Sequence, residues 1–232
     1  MENEGFKPLV NDEVMSAYAP QYPIRQPCSL VVSELGAAER LALAYAPGRM
    51  RARYAALLGF DAVLARSALS TADPLMTQLK LAWWRDACGR LAPTGHPVLA
   101  ALAAEWNSGV EPLVELVDAW EQAAVGEDRL HVGGVALASA RSAAITACAG
   151  APVDPGQVQF WTMSMLAAFS GGVVARERAE TRAVAALPRR RALRPVAVLE
   201  GLARRAARQG RTMLLGDRLS PMAAIRLGIF GR

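Results

Sequence analysis

The stretch Gly48-Arg-Met-Arg-Ala-Arg-Tyr54-Ala-Ala-Leu57-Leu58-Gly-Phe-Asp61-Ala-Val-Leu64-Ala65-Arg-Ser-Ala68-Leu69 decides the fold class. Tyr54, Leu57, Leu58, Leu64, Ala65 and Ala68 recur at helical spacing and form one apolar stripe. Asp61 falls on that stripe, four residues after Leu57 and three before Leu64, so its carboxylate faces the interior. A charge there needs a cation such as Arg85, a helix end, or a polar pocket, because an uncompensated charge in an apolar core is costly.

The same helical pattern repeats on both sides of this stretch. Ser33 stands as an N-cap with Glu34 in the first turn, and Leu35 to Ala46 reads as a helix that Pro47 ends. Asp73 and Pro74 open a third helix, on which Leu75, Leu79, Leu81, Trp83, Trp84, Ala87 and Leu91 occupy nearly the whole circumference. That distribution predicts a central, buried helix. Pro97 starts a short helix through Trp106, and further helices are expected at about 110–125, 129–149, 155–186, 194–209 and 220–230. Residues 1–32, with Pro8, Pro20, Pro23 and Pro27, have no period and read as an irregular extension. Residues 33–232 read as one all-α domain.

Composition supports this. Of 232 residues, 53% are hydrophobic and 20% charged, which excludes a mostly disordered chain. Aromatics make up 6%, fewer than strand-rich domains favour. The most apolar stretch, Val135 to Gly150, carries Arg141, so no membrane span is expected. The acidic start (Glu2, Glu4, Asp12, Glu13) does not resemble a secretory signal, so a cytoplasmic location is expected. Cys28, Cys88 and Cys148 are too sparse for a disulfide framework or a zinc ribbon. His96 and His131 read as structural, Cys88 and Cys148 as small core residues, and Gly133-Gly134 and Gly171-Gly172 as close-packing glycines. Phosphate loops, nucleophile elbows and dinucleotide fingerprints are missing.

Two charge patterns stand out. Glu111, Glu115, Asp118 and Glu121 line one side of a helix whose other side carries Leu113, Leu116, Val117 and Trp120. Such a ridge is either a wet helix face or a seat for Mg²⁺, which takes oxygen ligands. The net charge of +5 hides an asymmetry, since Arg189 to Arg232 holds eleven arginines against Glu200 and Asp217. Arg204, Arg205, Arg208 and Arg211 cluster on one helical side, opposite Leu199, Leu202 and Ala206, as candidates for contact with an anionic membrane or an acidic protein. Without interleaved aromatics or a docking motif, this tail argues against nucleic-acid binding.

Leu41-Ala-Leu-Ala-Tyr45-Ala-Pro47, Arg51 to Arg53, and Ala56-Leu-Leu-Gly-Phe60-Asp61 resemble the opening helices of squalene and phytoene synthase-like proteins. Gln78-Leu-Lys-Leu-Ala-Trp-Trp-Arg-Asp86, His96-Pro-Val and Arg194-Pro-Val-Ala-Val-Leu199 are similar to the bacterial branch. The resemblance implies an isoprenoid-synthase-like helical bundle around a central cavity. Active members condense prenyl diphosphates on Mg²⁺ held by two D-x-x-x-D motifs. By the same resemblance, Tyr45, Arg51 and Arg53 are candidate diphosphate-binding residues.

This chain departs from the pattern. Near the first motif stands Asp61 with Ala65 four residues on, and no aspartate lies between Met163 and Arg178. Asp61, Glu115, Asp118 and Glu121 are therefore a candidate pocket or a vestigial metal site, and no cofactor is expected unless Mg²⁺-dependent activity survives. A degenerate member, binding an isoprenoid lipid or acting in assembly like the mitochondrial respiratory complex I assembly factor, is the favoured expectation. A location peripheral to the inner membrane would suit it. The alternative is a Mg²⁺-dependent prenyltransferase with atypical ligands.

Overall fold

In the computed structural model, which describes residues 27–69, 73–91, 95–125, 132–169 and 186–230, ten α-helices follow one another and no strand occurs among the described residues. They are α1 (Pro27–Glu34), α2 (Ala37–Ala44), α3 (Arg51–Leu69), α4 (Pro74–Arg90) and α5 (Pro97–Glu105). Then come α6 (Glu111–Val125), α7 (Val132–Ala149), α8 (Gln159–Phe169), α9 (Arg194–Arg208) and α10 (Ser220–Phe230). The helix expected over 155–186 is seen as a 3₁₀ turn, Pro155–Gln157, followed by α8, and its second half lies outside the described residues.

Two expectations are corrected. Residues 27–32, expected within an irregular extension, belong with Ser33 and Glu34 to α1, and the next helix starts at Ala37 behind Gly36 instead of at Ser33. Pro27 suits a first helical turn, and Val31 is fully buried against Gly59 of α3, so packing overrides the weak helix propensity of Val31 and Val32. The central helix is α3, not α4: twelve of its nineteen residues are buried, and it packs on α1, α2, α4, α5, α6 and α7. On α4 only one face is internal, with Leu81, Trp84, Ala87 and Cys88 inside. Leu75 and Trp83 remain 63% and 50% exposed. A helix apolar all round does not reveal which side meets the core.

The ends of the helices follow local chemistry. Asp73 caps α4 by accepting from Leu75 N–H at 2.9 Å. His96 caps α5 through Nδ1, which accepts from Val98 N–H at 3.3 Å, and burial lowers the imidazole pKa. Helices α6 and α7 approach closely at Gly133, where a Cβ would lie 2.6 Å from Ala123 Cα. By length and apolar composition α7 could cross a membrane, yet its face toward α3 and α6 is internal and carries Arg141, which is 1% exposed. Cys88 and Cys148 are both buried and unpaired, with thiol pKa values pushed up to about 12 by burial.

A second buried carboxylate locks the far end. Glu200 of α9 accepts from the backbone N–H groups of Phe160 and Trp161 at 3.3 and 2.9 Å, which sets an anion at the start of α8. Arg204 Nε donates to it at 2.9 Å, yet burial still raises the Glu200 carboxyl pKa.

Candidate functional site

Where α3, α6, α7 and α8 meet, Asp61 is 3% exposed and its two oxygens have three donors. Arg141 Nε donates to Oδ2 at 3.0 Å and Arg141 Nη2 to Oδ1 at 3.3 Å; Trp120 Nε1 donates to Oδ1 at 2.8 Å. The guanidinium lies over two indole rings, 5.2 Å from the Trp120 centroid and 4.6 Å from that of Trp161. Two-pronged charge pairing plus aromatic faces compensates both ions in a site closed to water.

The pair leaves some donors over. Arg141 Nη1, Trp161 Nε1 and Ser164 Oγ are buried without a hydrogen-bond partner. Beside them lies a cavity of about 10 Å³, lined by Leu57, Leu58, Asp61, Leu116, Arg141 and Trp161 among others. Its accessible lining is apolar, so the three leftover donors do not open onto it. Glu39 of α2 belongs to the same electrostatic neighbourhood. Burial raises its carboxyl pKa, and Asp61 pushes the same way against the pull of Arg141.

The residues present do not fit the Mg²⁺ that the resemblance implies. Mg²⁺ takes about six oxygen ligands in an octahedron, commonly from one or two carboxylates with free lone pairs, together with waters and substrate phosphates. Both Asp61 oxygens already serve Arg141 and Trp120, and among the described residues no three His, Cys, Asp or Glu side chains come together.

The acidic ridge is turned elsewhere. On α6, Trp120 points inward to Asp61, whereas Asp118 and Glu121 are clasped by Arg85 of α4. Arg85 Nε reaches Asp118 Oδ1 at 2.6 Å, and Nη2 reaches Glu121 Oε2 at 2.6 Å. Glu111 and Glu115 are exposed. Arg85 therefore partners the ridge and not Asp61; the cation for Asp61 comes from α7.

The candidate diphosphate residues serve the backbone. Arg53 Nε donates to Glu105 O at 3.0 Å and Arg51 Nη2 to Ala44 O at 3.1 Å, each tying a helix end in place. Tyr45 is half-buried, and its ring lies where Gly228 leaves room on α10. In the C-terminal cluster, Arg204 pairs with Glu200, while Arg205 and Arg211 pair with Asp217; Arg208 is exposed. Leu199, Leu202 and Ala206, opposite them, are buried in the bundle, so α9 has no free apolar face.

Arg141, Trp161 and Glu39 complete the site, and spacing along the chain does not assign them to it. The available signal was the lone arginine inside an otherwise apolar helix, which demands a buried anion.

Residues 39–130 match the family model for squalene/phytoene synthase, a span that takes in α3 to α6 and stops short of α7. No curated protein and no solved structure matches the chain. The all-α architecture agrees with an isoprenoid-synthase-like fold.

Proposed function

We propose that this chain, with its squalene/phytoene synthase-like domain over residues 39–130, is a non-catalytic binding or assembly protein. One observation carries the reading: Asp61, the carboxylate at the place of the first metal motif, is neutralised from within by Arg141. A permanent guanidinium does the charge compensation that a metal would do, but it cannot gather a diphosphate leaving group as clustered Mg²⁺ ions can. The resemblance to a respiratory complex I assembly factor that also lacks the aspartate motifs supplies the precedent for such a role. The partners it suggests are an isoprenoid lipid, or a protein meeting the Arg-rich C-terminus.

A prenyltransferase with atypical ligands is the second reading. It draws on Glu39, a carboxylate close enough to feel Asp61. Incubation with farnesyl or geranylgeranyl diphosphate and Mg²⁺ separates the two. The expected result is neither released pyrophosphate nor a condensed product. Metal-dependent product that falls on Asp61→Asn overturns the non-catalytic reading. Native mass spectrometry of the purified protein then looks for a retained isoprenoid.

A further inference from the structure

Helix α10 is packed inside out. Its buried positions are mostly small, with Ser220 1% and Ala224 0% exposed and Gly228 also internal; Leu227 is the exception. Its large apolar residues point away, with Met222, Ile225 and Ile229 on one outward stripe and Phe230 at its end. A helix that only had to cover the bundle would turn those side chains inward. Of the twelve large hydrophobic residues exposed among the described residues, six fall between Met213 and Phe230. A concentration of that kind marks an interaction surface.

Alongside the stripe, α9 and α10 enclose a groove of about 470 Å³ whose lining includes Leu219 and Met222 together with Arg204, Arg205, Arg208 and Arg226. Arg204 pairs with the buried Glu200, and Arg205 with the partly exposed Asp217. Arg208 and Arg226 are exposed and, among the described residues, make no ion pair. Met222 belongs to both the groove and the stripe, so the cationic trough and the apolar ridge are continuous.

We propose that α10 is an interfacial helix that docks the protein on an anionic lipid bilayer. Arg208 and Arg226 receive headgroup phosphates, and Met222, Ile225, Ile229 and Phe230 enter the acyl boundary. Charge complementarity selects the occupant: exposed guanidiniums border an apolar stripe, the pairing of features that interfacial helices use on anionic membranes. The proposal does not depend on any chemistry at Asp61.

The test is co-sedimentation of the full chain with phosphatidylcholine vesicles, with and without phosphatidylglycerol, at low and high salt. Three proteins are compared: the parent, Ile225→Glu/Ile229→Glu, and Arg208→Gln/Arg226→Gln. All substituted positions are exposed, and unchanged far-UV circular dichroism and melting confirm folding. The parent should bind vesicles containing phosphatidylglycerol and release them at high salt. Each arginine near such a surface is worth about fivefold in binding, so the double Gln variant should bind about 25-fold more weakly. The double Glu variant should lose binding altogether. Equal recovery of all three proteins, or no vesicle binding by the parent, overturns the proposal. Self-association of the parent that the Glu variant abolishes, without lipid binding, overturns it in favour of a second copy of this chain.

Discussion

Arg141 of α7 closes on Asp61 of α3 with Nε 3.0 Å from Oδ2, and the two side chains, 1% and 5% exposed, come from residues 80 apart in sequence. Their mutual dependence sets the first prediction. Either Arg141→Met or Asp61→Leu alone leaves an uncompensated charge in the core and should cost about 3–5 kcal/mol. The double variant leaves only the Trp120 indole without its acceptor, about 1–3 kcal/mol. Urea denaturation should therefore find the double variant more stable than either single one. Additive losses would show that the charges do not depend on each other.

The adjacent tryptophans should respond unequally. Trp84 is 4% exposed, meets Phe60 edge-on at 5.8 Å, and donates Nε1 to Ser67 Oγ at 3.2 Å. Trp84→Ala should cost about 3–5 kcal/mol. Trp83 is half exposed, and Trp83→Ala should stay under about 1 kcal/mol in the same denaturation series.

Gly133 is a steric test of the α6–α7 contact. A Cβ there meets backbone, Ala123 Cα at 2.6 Å, which cannot move aside as a side chain would. Gly133→Val should destabilise by about 1–3 kcal/mol or more through overpacking, despite its neutral chemistry. An unchanged melting temperature would mean the helices have room to part.

The pH prediction concerns Asp217, which holds the start of α10. Its Oδ1 accepts from Ser220 Oγ at 2.8 Å and from Leu219 N–H at 3.0 Å, while Oδ2 pairs with Arg205 and Arg211. The Ser220 hydroxyl, then Arg211 and Arg205, hold the carboxyl pKa well below its ordinary 3.8. A lowered acid pKa contributes stability above the ordinary value and loses it as pH falls toward the folded one. The protection of the amides of residues 219–223, taken relative to the intrinsic exchange rate at each pH, should fall as the solution is acidified below about pH 4. Asp217→Asn should exchange faster at neutral pH and lose that acid dependence.

Sequence reading reached as far as local chemistry and one-dimensional periodicity allow. The Asp61 position on a helical stripe, the Asp73 and Pro74 start and the burial of Cys88 and Cys148 are encoded within a few residues of each, so spacing alone expressed them. The identity of the Asp61 partner was not, because pairing across 80 residues depends on how α3, α6 and α7 pack. For the same reason the ridge on α6 was legible while its owner, Arg85, was assigned to the wrong carboxylate. The exposed side of α4 escaped because Leu75, Leu79 and Trp83 are as apolar as the residues inside. The inverted packing of α10 escaped because its sequence is apolar without showing which face is inward.

The separation of Asp61 and Arg141 also orders events during synthesis. At roughly 5–20 residues per second, a ribosome that has just added Asp61 needs about 4–16 s more to add Arg141. Until then Asp61 has no cation of its own and must keep its water, so the interior around it cannot close. The segment that carries the family signature, residues 39–130, ends before the counter-charge arrives. The second half of the chain therefore brings the ion that lets the first half bury its own carboxylate, and a shortened chain carrying only the signature would present that charge to chaperones instead of to a core.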